Sequence, residues 1–415
     1  MDFEVHLSVG NATQLIGLAR SSLVRGKETV QFEYADEWLK SAGRFALEPL
    51  LPLTRGIFYP PAGLGIHGSL GDSAPDSWGR KLMQRAERNS ADREGRSVRT
   101  LMSSDYLLGV SDVSRMGALR YRLAGGDVFL AASTSGVPPL IKLGDLLRSA
   151  DRILRNEETD EDLHHLIGPG SSLGGARPKA SVIDQHGHLS IAKFAKETDE
   201  YSIETWEEIG LLLARAAGIC VADHQLLTIA GRSVLLSRRF DRLGQQRIPF
   251  LSAMTMLNGR DGTTGSYPEI VDALSQYGAN AKQNTHELYR RVAFNVLVSN
   301  VDDHLRNHGF LRLDRTGWVL SPAYDINPTP TDVKARVLAT NIDLEEATCS
   351  IELLESAAQY FALSLDKARS IIADVATVTS TWRTVAERLR VRPTEIDRMS
   401  SAFEHDDLRR ARSIA

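Results

Sequence analysis

A stretch of polar residues that directly follows an apolar helical pattern constrains this chain more than any other feature. Residues 300–307 read Asn-Val-Asp-Asp-His-Leu-Arg-Asn, so two carboxylates, two amides and an imidazole lie within one short segment. The preceding pattern places Leu288, Val292 and Leu297 at helical spacing. Buried polar groups have to be hydrogen-bonded or ligated. The stretch therefore indicates a binding or catalytic loop, with a solvated turn as the alternative.

The spacing of Asp302 and Asn307 is that of the catalytic loop of protein kinases. In that loop the aspartate accepts the proton of the substrate hydroxyl, and the asparagine holds a magnesium ion. A hairpin pattern follows at residues 309–320, and Asp325 then stands where we expect a strand to end. Kinases keep a second metal-binding carboxylate at such a position. The spacing therefore predicts phosphoryl transfer, with Asp302 as base and with Asn307 and Asp325 as magnesium ligands.

A zinc hydrolase is the alternative for the same residues. Asp302, Asp303, His304 and His308 include two histidines four positions apart, as zinc hydrolases carry on a helix. The glutamate that would act as base beside the first histidine is missing. Gly309 also argues against a continuous helix here.

Length and composition are those of an ordinary globular protein. The 415 residues predict two or three domains, and the formal net charge of −4 gives no support for direct binding to nucleic acid. No segment has the pattern of a membrane span or a signal peptide. The two cysteines, Cys220 and Cys349, suit a reducing compartment. We therefore expect a cytoplasmic protein without a membrane partner.

A glycine-rich segment, residues 168–179, precedes a predicted hairpin. Small residues let a backbone approach a ligand closely, and free N–H groups there can hold phosphate. The segment is neither a Walker loop nor a dinucleotide fingerprint, because the Gly-Lys-Ser/Thr ending is missing and a strand follows instead of a helix. Lys193 lies on the second strand, where kinases place the lysine that binds the α- and β-phosphates. The next predicted helix, residues 203–217, carries three glutamates, of which we assign Glu207 as the partner of Lys193.

The order of these patterns is that of a kinase. Along the chain come, in turn, a glycine-rich loop, a strand lysine, a helix glutamate, a second hairpin, a linker at residues 238–242, helices, the Asp302–Asn307 loop and Asp325. Each pattern is ambiguous by itself, whereas the order is rarely produced by chance. His-Arg-Asp, Asp-Phe-Gly and Ala-Pro-Glu are absent from the sequence, so the chain is not an ordinary eukaryotic-type kinase.

These motifs resemble those of the HipA family of bacterial serine/threonine kinase toxins. The family's phosphate loop, roughly Ser-x-x-Gly-Ala-x-x-Lys, is matched by residues 172–179. Its catalytic stretch, Asn-x-Asp-x-His-x-Lys-Asn, is matched by residues 300–307, with Arg306 in place of lysine. Its metal stretch, Pro-x-Tyr-Asp-Ile, is matched by residues 322–326, and its hinge by residues 238–242 without the usual leading glutamate.

The resemblance implies an α+β protein with a HipA-like kinase fold. Weaker matches in the N-terminal region extend it to nearly the whole chain. The expected domains are an N-terminal α/β (α+β) domain at residues 1–135, a β-rich ATP-binding lobe at residues 136–245, and a mostly helical catalytic lobe at residues 246–415.

The resemblance also implies ATP- and magnesium-dependent phosphorylation of a protein serine or threonine. The expected target is a translation component such as an aminoacyl-tRNA synthetase, whose modification produces dormancy. A HipB-like antitoxin is the expected partner, so that contact with DNA is indirect. The alternatives are a small-molecule kinase with the same ATP site and a non-catalytic corepressor within an antitoxin–DNA complex.

The spacing and the resemblance together assign a role to each candidate residue. Asp302 is the catalytic base, His304 organises the catalytic loop, and Asn307 and Asp325 hold magnesium. Ser172 is the expected site of autophosphorylation. Contacts to ATP are expected from Ser172, Leu173, Gly174, Gly175, Ala176, Arg177, Lys179, Lys193, Glu207, Arg239 and Phe240.

Overall fold

The computed structural model describes residues 1–10, 12–131, 137–167 and 175–414. The chain forms two compact units, and each consists of two segments of sequence. The first unit contains Met1–Thr198 and Leu227–Leu251, and the second contains Asp199–Leu226 and Ser252–Ala415. Helices and antiparallel strands are both abundant, which confirms the predicted α+β class.

The elements of the first half of the chain follow in sequence order. They are β1 (Asp2–Val9), β2 (Ala12–Val24), β3 (Lys27–Tyr34), α1 (Asp36–Lys40), β4 (Ile57–Phe58), α2 (Gly68–Gly71), α3 (Ser77–Glu94), α4 (Ser103–Gly109), β5 (Leu119–Leu123), α5 (Leu143–Arg155), α6 (Asp160–Ile167), β6 (Lys179–Ile183) and β7 (Leu189–Phe194).

The remaining elements begin with a buried helix. They are α7 (Ile203–Ala216), β8 (His224–Ile229), β9 (Arg232–Arg238), β10 (Arg242–Leu243), β11 (Gln246–Arg247), β12 (Phe250–Ser252), α8 (Ala253–Met256), α9 (Tyr267–Tyr277), α10 (Ala281–Val298), β13 (Gly309–Leu311), β14 (Val319–Leu320), α11 (Ile351–Ala357), α12 (Leu365–Thr379), α13 (Trp382–Arg388), α14 (Pro393–Phe403) and α15 (Asp406–Ala411).

The N-terminal part of the first unit is built on a five-stranded sheet with the order β4-β3-β2-β1-β5. Alternate residues of β1, namely Phe3, Val5 and Leu7, are buried in its core, as the period of a half-buried strand requires. Gly17 of β2 lies so close to β3 that a Cβ atom there would sit 2.4 Å from the Glu33 carbonyl oxygen. This position therefore needs glycine.

A second sheet in the first unit has the order β6-β7-β9-β8 and two chemically different faces. One face is apolar and packs against α5, whose buried residues recur at helical spacing. The opposite face carries Lys179 and Lys193, which are directly paired across β6 and β7. Paired residues on neighbouring strands point to the same side of a sheet, so both lysines lie on the face that does not pack against α5. The apolar face consists of Ala180, Val182, Ala192, Phe194, Val234 and Leu236.

The second unit is mostly helical and is organised around α10. This helix is buried along most of its length, including Leu288, Val292 and Leu297. It contacts α9, α11, α12 and α14. The polar stretch at residues 300–307 begins directly after the C-cap Ser299, so a buried helix fixes the position of the loop.

Most of the predicted elements are confirmed, and one prediction is wrong. The apolar spacing of residues 143–155 predicts a helix, which is α5, and the patterns at residues 180–194 and 224–237 predict two hairpins, which are present. The patterns at residues 2–9 and 29–34 predict two strands, which are β1 and β3, whereas β2 between them was not predicted. Asp325 does not end a strand, because after β14 only an isolated bridge between Val221 and Ala323 precedes it. Within the lobe predicted to be mostly helical, residues 321–350 contain no helix.

No helix within the described ranges combines the length and the apolar character that a membrane crossing requires.

Candidate active site

The C-terminal end of α10 is closed by side chains from distant parts of the second unit. Ser299 has a left-handed backbone (φ 53°) and ends the helix. The Val296 carbonyl accepts a hydrogen bond from Arg336 Nη2 at 2.9 Å, and the Leu297 carbonyl accepts one from His405 Nε2 at 3.1 Å. The last carbonyls of a helix have no partner within the helix. These two side chains satisfy them and fix the point from which the catalytic loop leaves.

Asp303 is the centre of the loop's buried hydrogen-bond network. Its Oδ2 accepts hydrogen bonds from the Tyr267 hydroxyl, from Asn295 Nδ2 at 2.8 Å and from His308 Nε2 at 2.7 Å. Its carbonyl accepts a further bond from Thr340 Oγ1 at 2.7 Å. Burial, together with the neighbouring Asp303 carboxylate, raises the pKa of Tyr267 well above its ordinary value, so that the tyrosine remains a donor. A buried carboxylate with this many donors is a structural anchor.

Asp302 points the other way. Its side chain is 71% exposed and lies 3.5 Å from Lys334 Nζ, which is itself half exposed. A surface ion pair of this kind contributes about 0–1 kcal/mol and does not immobilise either group. The backbone of Asp302 is fixed, however, because its carbonyl accepts bonds from the His304 N–H at 2.9 Å and from Asn307 Nδ2 at 3.2 Å. The loop thus holds an accessible carboxylate on a rigid backbone.

Two buried atoms of the same turn have no hydrogen-bond partner among the described residues. They are Asn307 Oδ1 and His304 Nδ1. Unpaired polar atoms are costly in a protein interior, so they indicate a ligand or water at that point. The Asn307 amide is oriented by its own Nδ2 bond to Asp302, which leaves the oxygen as the free end. Magnesium prefers such hard oxygen ligands, and Asn307 therefore fits the predicted role.

Asp325 is tied to the catalytic loop through two asparagines. Its Oδ1 accepts a bond from Asn327 Nδ2 at 3.2 Å, and the Asn327 N–H donates to Asn300 Oδ1 at 3.0 Å. Asn300 Nδ2 in turn donates to Asn295 Oδ1 at 3.0 Å, and Asn295 also bonds to Asp303. Hydrogen bonds through three asparagines therefore connect the Asp325 carboxylate to the Asp303 carboxylate.

The backbone at Asp325 is unusual and closely packed. Its φ of 59° lies in the left-handed region, which aspartate tolerates but which is uncommon outside turns and functional sites. A Cβ atom on Gly210 of α7 would sit 2.9 Å from the Ile326 carbonyl oxygen. The Ala323 N–H donates to the Cys220 carbonyl at 2.8 Å. Contacts from α7 and the segment after it therefore hold Asp325 in this conformation.

In the first unit, the sheet face opposite α5 contains the two lysines predicted to contact ATP. Lys193 is partly buried on β7, between the buried Ala192 and Phe194. Lys179 is almost completely buried, with 2% of its side chain exposed. Its Nζ lies 2.8 Å from Asp76 Oδ2 and 3.2 Å from the Gly175 carbonyl oxygen. The structure therefore pairs Lys179 with a carboxylate from the start of α3.

Five of the eight residues of the predicted phosphate loop, residues 175–179, are described. Gly175 has a φ of 94°, which only glycine adopts readily, and Gly175 and Ala176 are exposed. Arg177 is partly buried. The expected contacts from Ser172, Leu173 and Gly174, and the autophosphorylation of Ser172, lie outside the described residues.

The predicted hinge residue Arg239 has a buried structural environment. Its side chain, 1% exposed, donates to Asp241 Oδ1 at 2.7 Å and to the Ser114 carbonyl at 3.0 Å. Burial alone would raise the pKa of Asp241, but the Arg239 and Arg242 guanidinium groups lower it to about 2. This network joins the hinge to the strand that starts at Leu119. The neighbouring Phe240 packs on Phe250 with ring centroids 6.2 Å apart.

Glu207 is buried on α7 in the second unit, whereas Lys193 belongs to the first. The assignment of Glu207 as its partner stays a prediction.

The geometry does not favour the zinc alternative. Of its four side chains, His308 donates to Asp303 in the buried network, and Asp303 also accepts a bond from the Tyr267 hydroxyl. Across residues 1–10, 12–131, 137–167 and 175–414, no group of three or more histidine, cysteine, aspartate or glutamate side chains is placed to hold a metal ion. An asparagine oxygen beside Asp302 suits a hard cation better than zinc.

Sequence reasoning missed several residues that build the site. Asn295, Asn327, Tyr267 and Asp76 had no role assigned from spacing. Asn295 offered a signal, because it is a polar residue within the apolar stretch of α10. Asp76 lies in a predicted helix start, which the structure confirms as the start of α3, but nothing in the sequence indicated its pairing with Lys179, 103 positions away.

Comparisons with known proteins agree with this architecture. The family model described as the HipA-like C-terminal domain matches residues 171–382, more than half of the 415 residues. A Haemophilus influenzae protein, provisionally named a kinase, is 26% identical over 196 residues; the match covers 41% of this chain and 57% of that protein. The chain thus spans little more than half the length of this relative.

A solved structure shows the same fold. A chain from the complex of HipA, HipB and operator DNA of Shewanella oneidensis MR-1 superposes with a TM-score of 0.67 and 18% identity, covering 99% of this chain and 96% of that one. The proinflammatory kinase CtkA of Helicobacter pylori covers 60% of this chain and 95% of its own, with 16% identity and a TM-score of 0.40, too low to establish a shared fold. The family match spans the phosphate loop, Lys193, the catalytic loop and Asp325, and the chain therefore belongs to the HipA family.

Proposed function

We propose that the chain is an ATP- and magnesium-dependent HipA-type kinase that phosphorylates a serine or threonine of a protein. The observation that carries this proposal is that two adjacent carboxylates have opposite environments. Asp303 is buried and fixes the loop, while Asp302 is exposed on a rigid backbone. A general base for an incoming hydroxyl has to be accessible and positioned in this way.

The proposed mechanism follows from the side chains already described. Asp302 accepts the proton of the substrate hydroxyl as that oxygen attacks the γ-phosphorus, and the bond from the γ-phosphorus to the β,γ-bridging oxygen breaks to release ADP. Asn307 and Asp325 would hold magnesium, which neutralises charge on the phosphates when it is bound. His304 keeps the loop in shape through its backbone contact with Asp302. Phosphoryl transfer depends on positioning and on charge neutralisation, and both are properties of this loop.

Lys193 is the proposed contact to the α- and β-phosphates, with Glu207 as its partner. The backbone of residues 172–179 would cover the phosphates with N–H donors, because glycines there permit close approach. Adenine contacts would come from the backbone near Phe240, since the Arg239 side chain is occupied by Asp241.

The proposed biological role is that of a toxin in a HipBA-like toxin–antitoxin system. The partner would be a small HipB-like DNA-binding antitoxin, and the target a translation component such as an aminoacyl-tRNA synthetase. Family membership supports this role, as does the Shewanella oneidensis relative, which was solved together with HipB and operator DNA. The chain's own net charge of −4 suits indirect contact with DNA.

Autophosphorylation of Ser172 is the proposed means of switching the kinase off. A phosphoserine carries a charge of about −1.5 to −2 and attracts N–H groups and cations. Within the phosphate loop it would compete with ATP phosphates for the same donors. Intact mass and peptide mapping of wild-type, Ser172→Ala and Ser171/Ser172 double-alanine proteins after incubation with magnesium-ATP would locate the phosphate. A phosphate outside residues 171–172, or undiminished ATP binding by the modified protein, would count against this mechanism.

The test of the kinase proposal uses purified protein, γ-labelled ATP, magnesium and a bacterial lysate filtered free of endogenous nucleotides. We expect the label to appear in precipitated protein as phosphoserine or phosphothreonine, and not to appear with the Asp302→Asn variant. Label that accumulates only in small molecules would replace this proposal with a small-molecule kinase. No transfer to any acceptor would support the corepressor alternative.

A further inference from the structure

A buried ion pair connects the end of the phosphate loop to the start of α3. Lys179 Nζ lies 2.8 Å from Asp76 Oδ2, with the two side chains only 2% and 5% exposed. The same ammonium group is 3.2 Å from the Gly175 carbonyl oxygen. Loss of the Lys179 charge would deprive the buried Asp76 carboxylate of this counter-ion, which is far more costly than loss of a surface ion pair.

Asp76 is at the same time the N-cap of α3. Its Oδ1 accepts a hydrogen bond from the Gly79 N–H at 2.8 Å, while Oδ2 faces Lys179. One carboxylate therefore starts the helix and neutralises the lysine. A substitution at Lys179 would therefore affect the first turn of α3, and a substitution at Asp76 would affect the position of Lys179.

Trp78 provides a second, independent connection between the same two segments. Its indole Nε1–H donates to the Lys179 carbonyl at 3.1 Å, and its backbone N–H donates to the Gly175 carbonyl at 3.4 Å. The Trp78 side chain itself is buried in the core of the β6-β7-β9-β8 sheet. Both ends of segment 175–179 are thus attached to the beginning of one helix.

We infer that Lys179 anchors the phosphate loop to α3 and does not bind phosphate, and that Asp76 is the positioning residue which holds it there. Lys193, its neighbour across β6 and β7, is then the lysine of this sheet face that contacts the nucleotide. This inference rests on the proposed ATP site. It replaces the role that the motif alone suggested for Lys179.

One consequence is that the N-terminal region and the nucleotide site are coupled. ATP bound against residues 175–179 would also stabilise the first turn of α3, and by thermodynamic reciprocity a disturbance of that turn would weaken ATP binding. Hydrogen exchange of residues 77–80 should therefore slow when magnesium-ATP is added.

The decisive experiment is a double-mutant cycle with Asp76→Asn and Lys179→Met, in which two properties of each protein are measured. The first readout is the thermal midpoint without nucleotide, and the second is the dissociation constant of magnesium-ATP. We expect Asp76→Asn to lower the midpoint and to weaken ATP binding at least tenfold, because it removes the carboxylate that neutralises a buried ammonium group. The double variant should regain most of both losses, since it removes the buried ammonium group as well.

A phosphate-binding role for Lys179 gives a different pattern. Lys179→Met and the double variant would then lose ATP affinity equally, and Asp76→Asn alone would retain or improve it. Lys193→Met serves as the reference for a true phosphate contact. Asp151→Asn, which breaks the partly exposed Arg232 pair in the same unit, controls for general loss of an ion pair.

Failure of the kinase proposal would be recognised separately. If the wild-type protein binds no ATP, the thermal midpoints still report on the anchor. A double variant no more stable than Asp76→Asn would overturn the inference whatever the nucleotide result. An Asp76→Asn protein with an unchanged midpoint would overturn it as well.

Discussion

Asp302 and Asp303 are neighbours in sequence, yet the fold gives them opposite environments. Asp303 accepts bonds from Tyr267, Asn295 and His308, whereas Asp302 faces solvent beside Lys334. A carboxylate that accepts buried hydrogen bonds contributes to stability, and an exposed one is available for chemistry.

We predict that Asp303→Asn destabilises the protein by about 2–4 kcal/mol, because an amide can satisfy only part of a site built for a carboxylate. Asp302→Asn should change the free energy of unfolding by less than about 0.5 kcal/mol. Urea unfolding followed by circular dichroism compares the two variants. Equal stability of both would show that Asp303 is not the loop's anchor.

Asp325 provides the second prediction at this scale. As a magnesium ligand, it should matter more when the metal is present. We expect Asp325→Ala to weaken ATP binding about tenfold or more in magnesium, equivalent to roughly 1.4 kcal/mol, and to have a smaller effect in EDTA. Calorimetry under both conditions measures the difference. Asp314→Ala, which alters an exposed carboxylate bonded only within its own turn, is the matched control, and equal losses in both conditions would assign Asp325 to the fold alone.

Sequence spacing was sufficient to single out Asp302, Asn307 and Asp325, because they lie in short segments whose polar content is unusual. Spacing did not show which groups hold these residues in place. Asn327 reaches Asn300 across 27 positions, and Tyr267 reaches Asp303 across 36. Such pairs depend on the packing of α9 and α10, which no local pattern encodes.

At the scale of elements, the end of α10 is the most consequential. Its final carbonyls are satisfied by Arg336 and His405, and Arg336 also pairs with Asp407 at the start of α15. His405 Nδ1 accepts a bond from the Leu408 N–H at 3.2 Å and so caps α15. This arrangement requires a neutral imidazole, because Nδ1 has to accept a hydrogen bond.

A pH dependence follows from His405. Burial, with a smaller effect from Arg336, lowers the pKa of this histidine from about 6.5 to about 4. Between these values the unfolded chain binds a proton and the folded protein does not, so stability falls as the pH is lowered through that window. The full effect is on the order of 3 kcal/mol.

The measurement is the free energy of unfolding from pH 7 to pH 4 for wild type and His405→Gln. Subtraction of the two curves removes the titration of other groups. We expect the wild-type curve to fall more steeply between pH 6.5 and pH 4. Parallel curves would show that the pKa of His405 is not lowered in the folded protein.

Elements with a clear period were predicted well, and elements defined by tertiary contact were not. Helix α5 has the predicted bounds because its apolar residues recur at helical spacing. Strand β2 was missed because Leu15, Ile16 and Leu18 do not alternate with polar residues, and Gly17 interrupts them to allow close packing on β3. Asp325 was placed at a strand end, but its conformation is imposed by α7 and the segment after it.

At the scale of the whole molecule, the chain consists of two units with complementary proposed tasks. The first contains Lys193 and the phosphate loop, and the second contains Asp302, Asn307 and Asp325. Each unit draws on two separate segments of sequence. The domain boundaries at residues 135 and 245, which are expected from the resemblance, stay a prediction.

We predict that expression of the chain without its antitoxin slows bacterial growth, and that Asp302→Asn restores it. Under the proposed function, phosphorylation of a translation component would stop protein synthesis, whereas the variant would fold but transfer no phosphate. Growth curves with matched protein levels provide the measurement. A small helix-turn-helix protein encoded next to this gene should also restore growth when it is co-expressed. Normal growth with a demonstrably active kinase would instead indicate a harmless target.

The most direct test of the central claim is the intact mass of the protein after incubation with magnesium-ATP, measured in parallel for wild type and Asp302→Asn. Both proteins should bind ATP and unfold at the same temperature, because Asp302 is exposed and supports neither the nucleotide nor the fold. The account predicts that the wild type gains a phosphate and that the variant gains none. An Asp302→Asn protein that acquires phosphate at the wild-type rate would contradict the assignment of Asp302 as the base of this kinase.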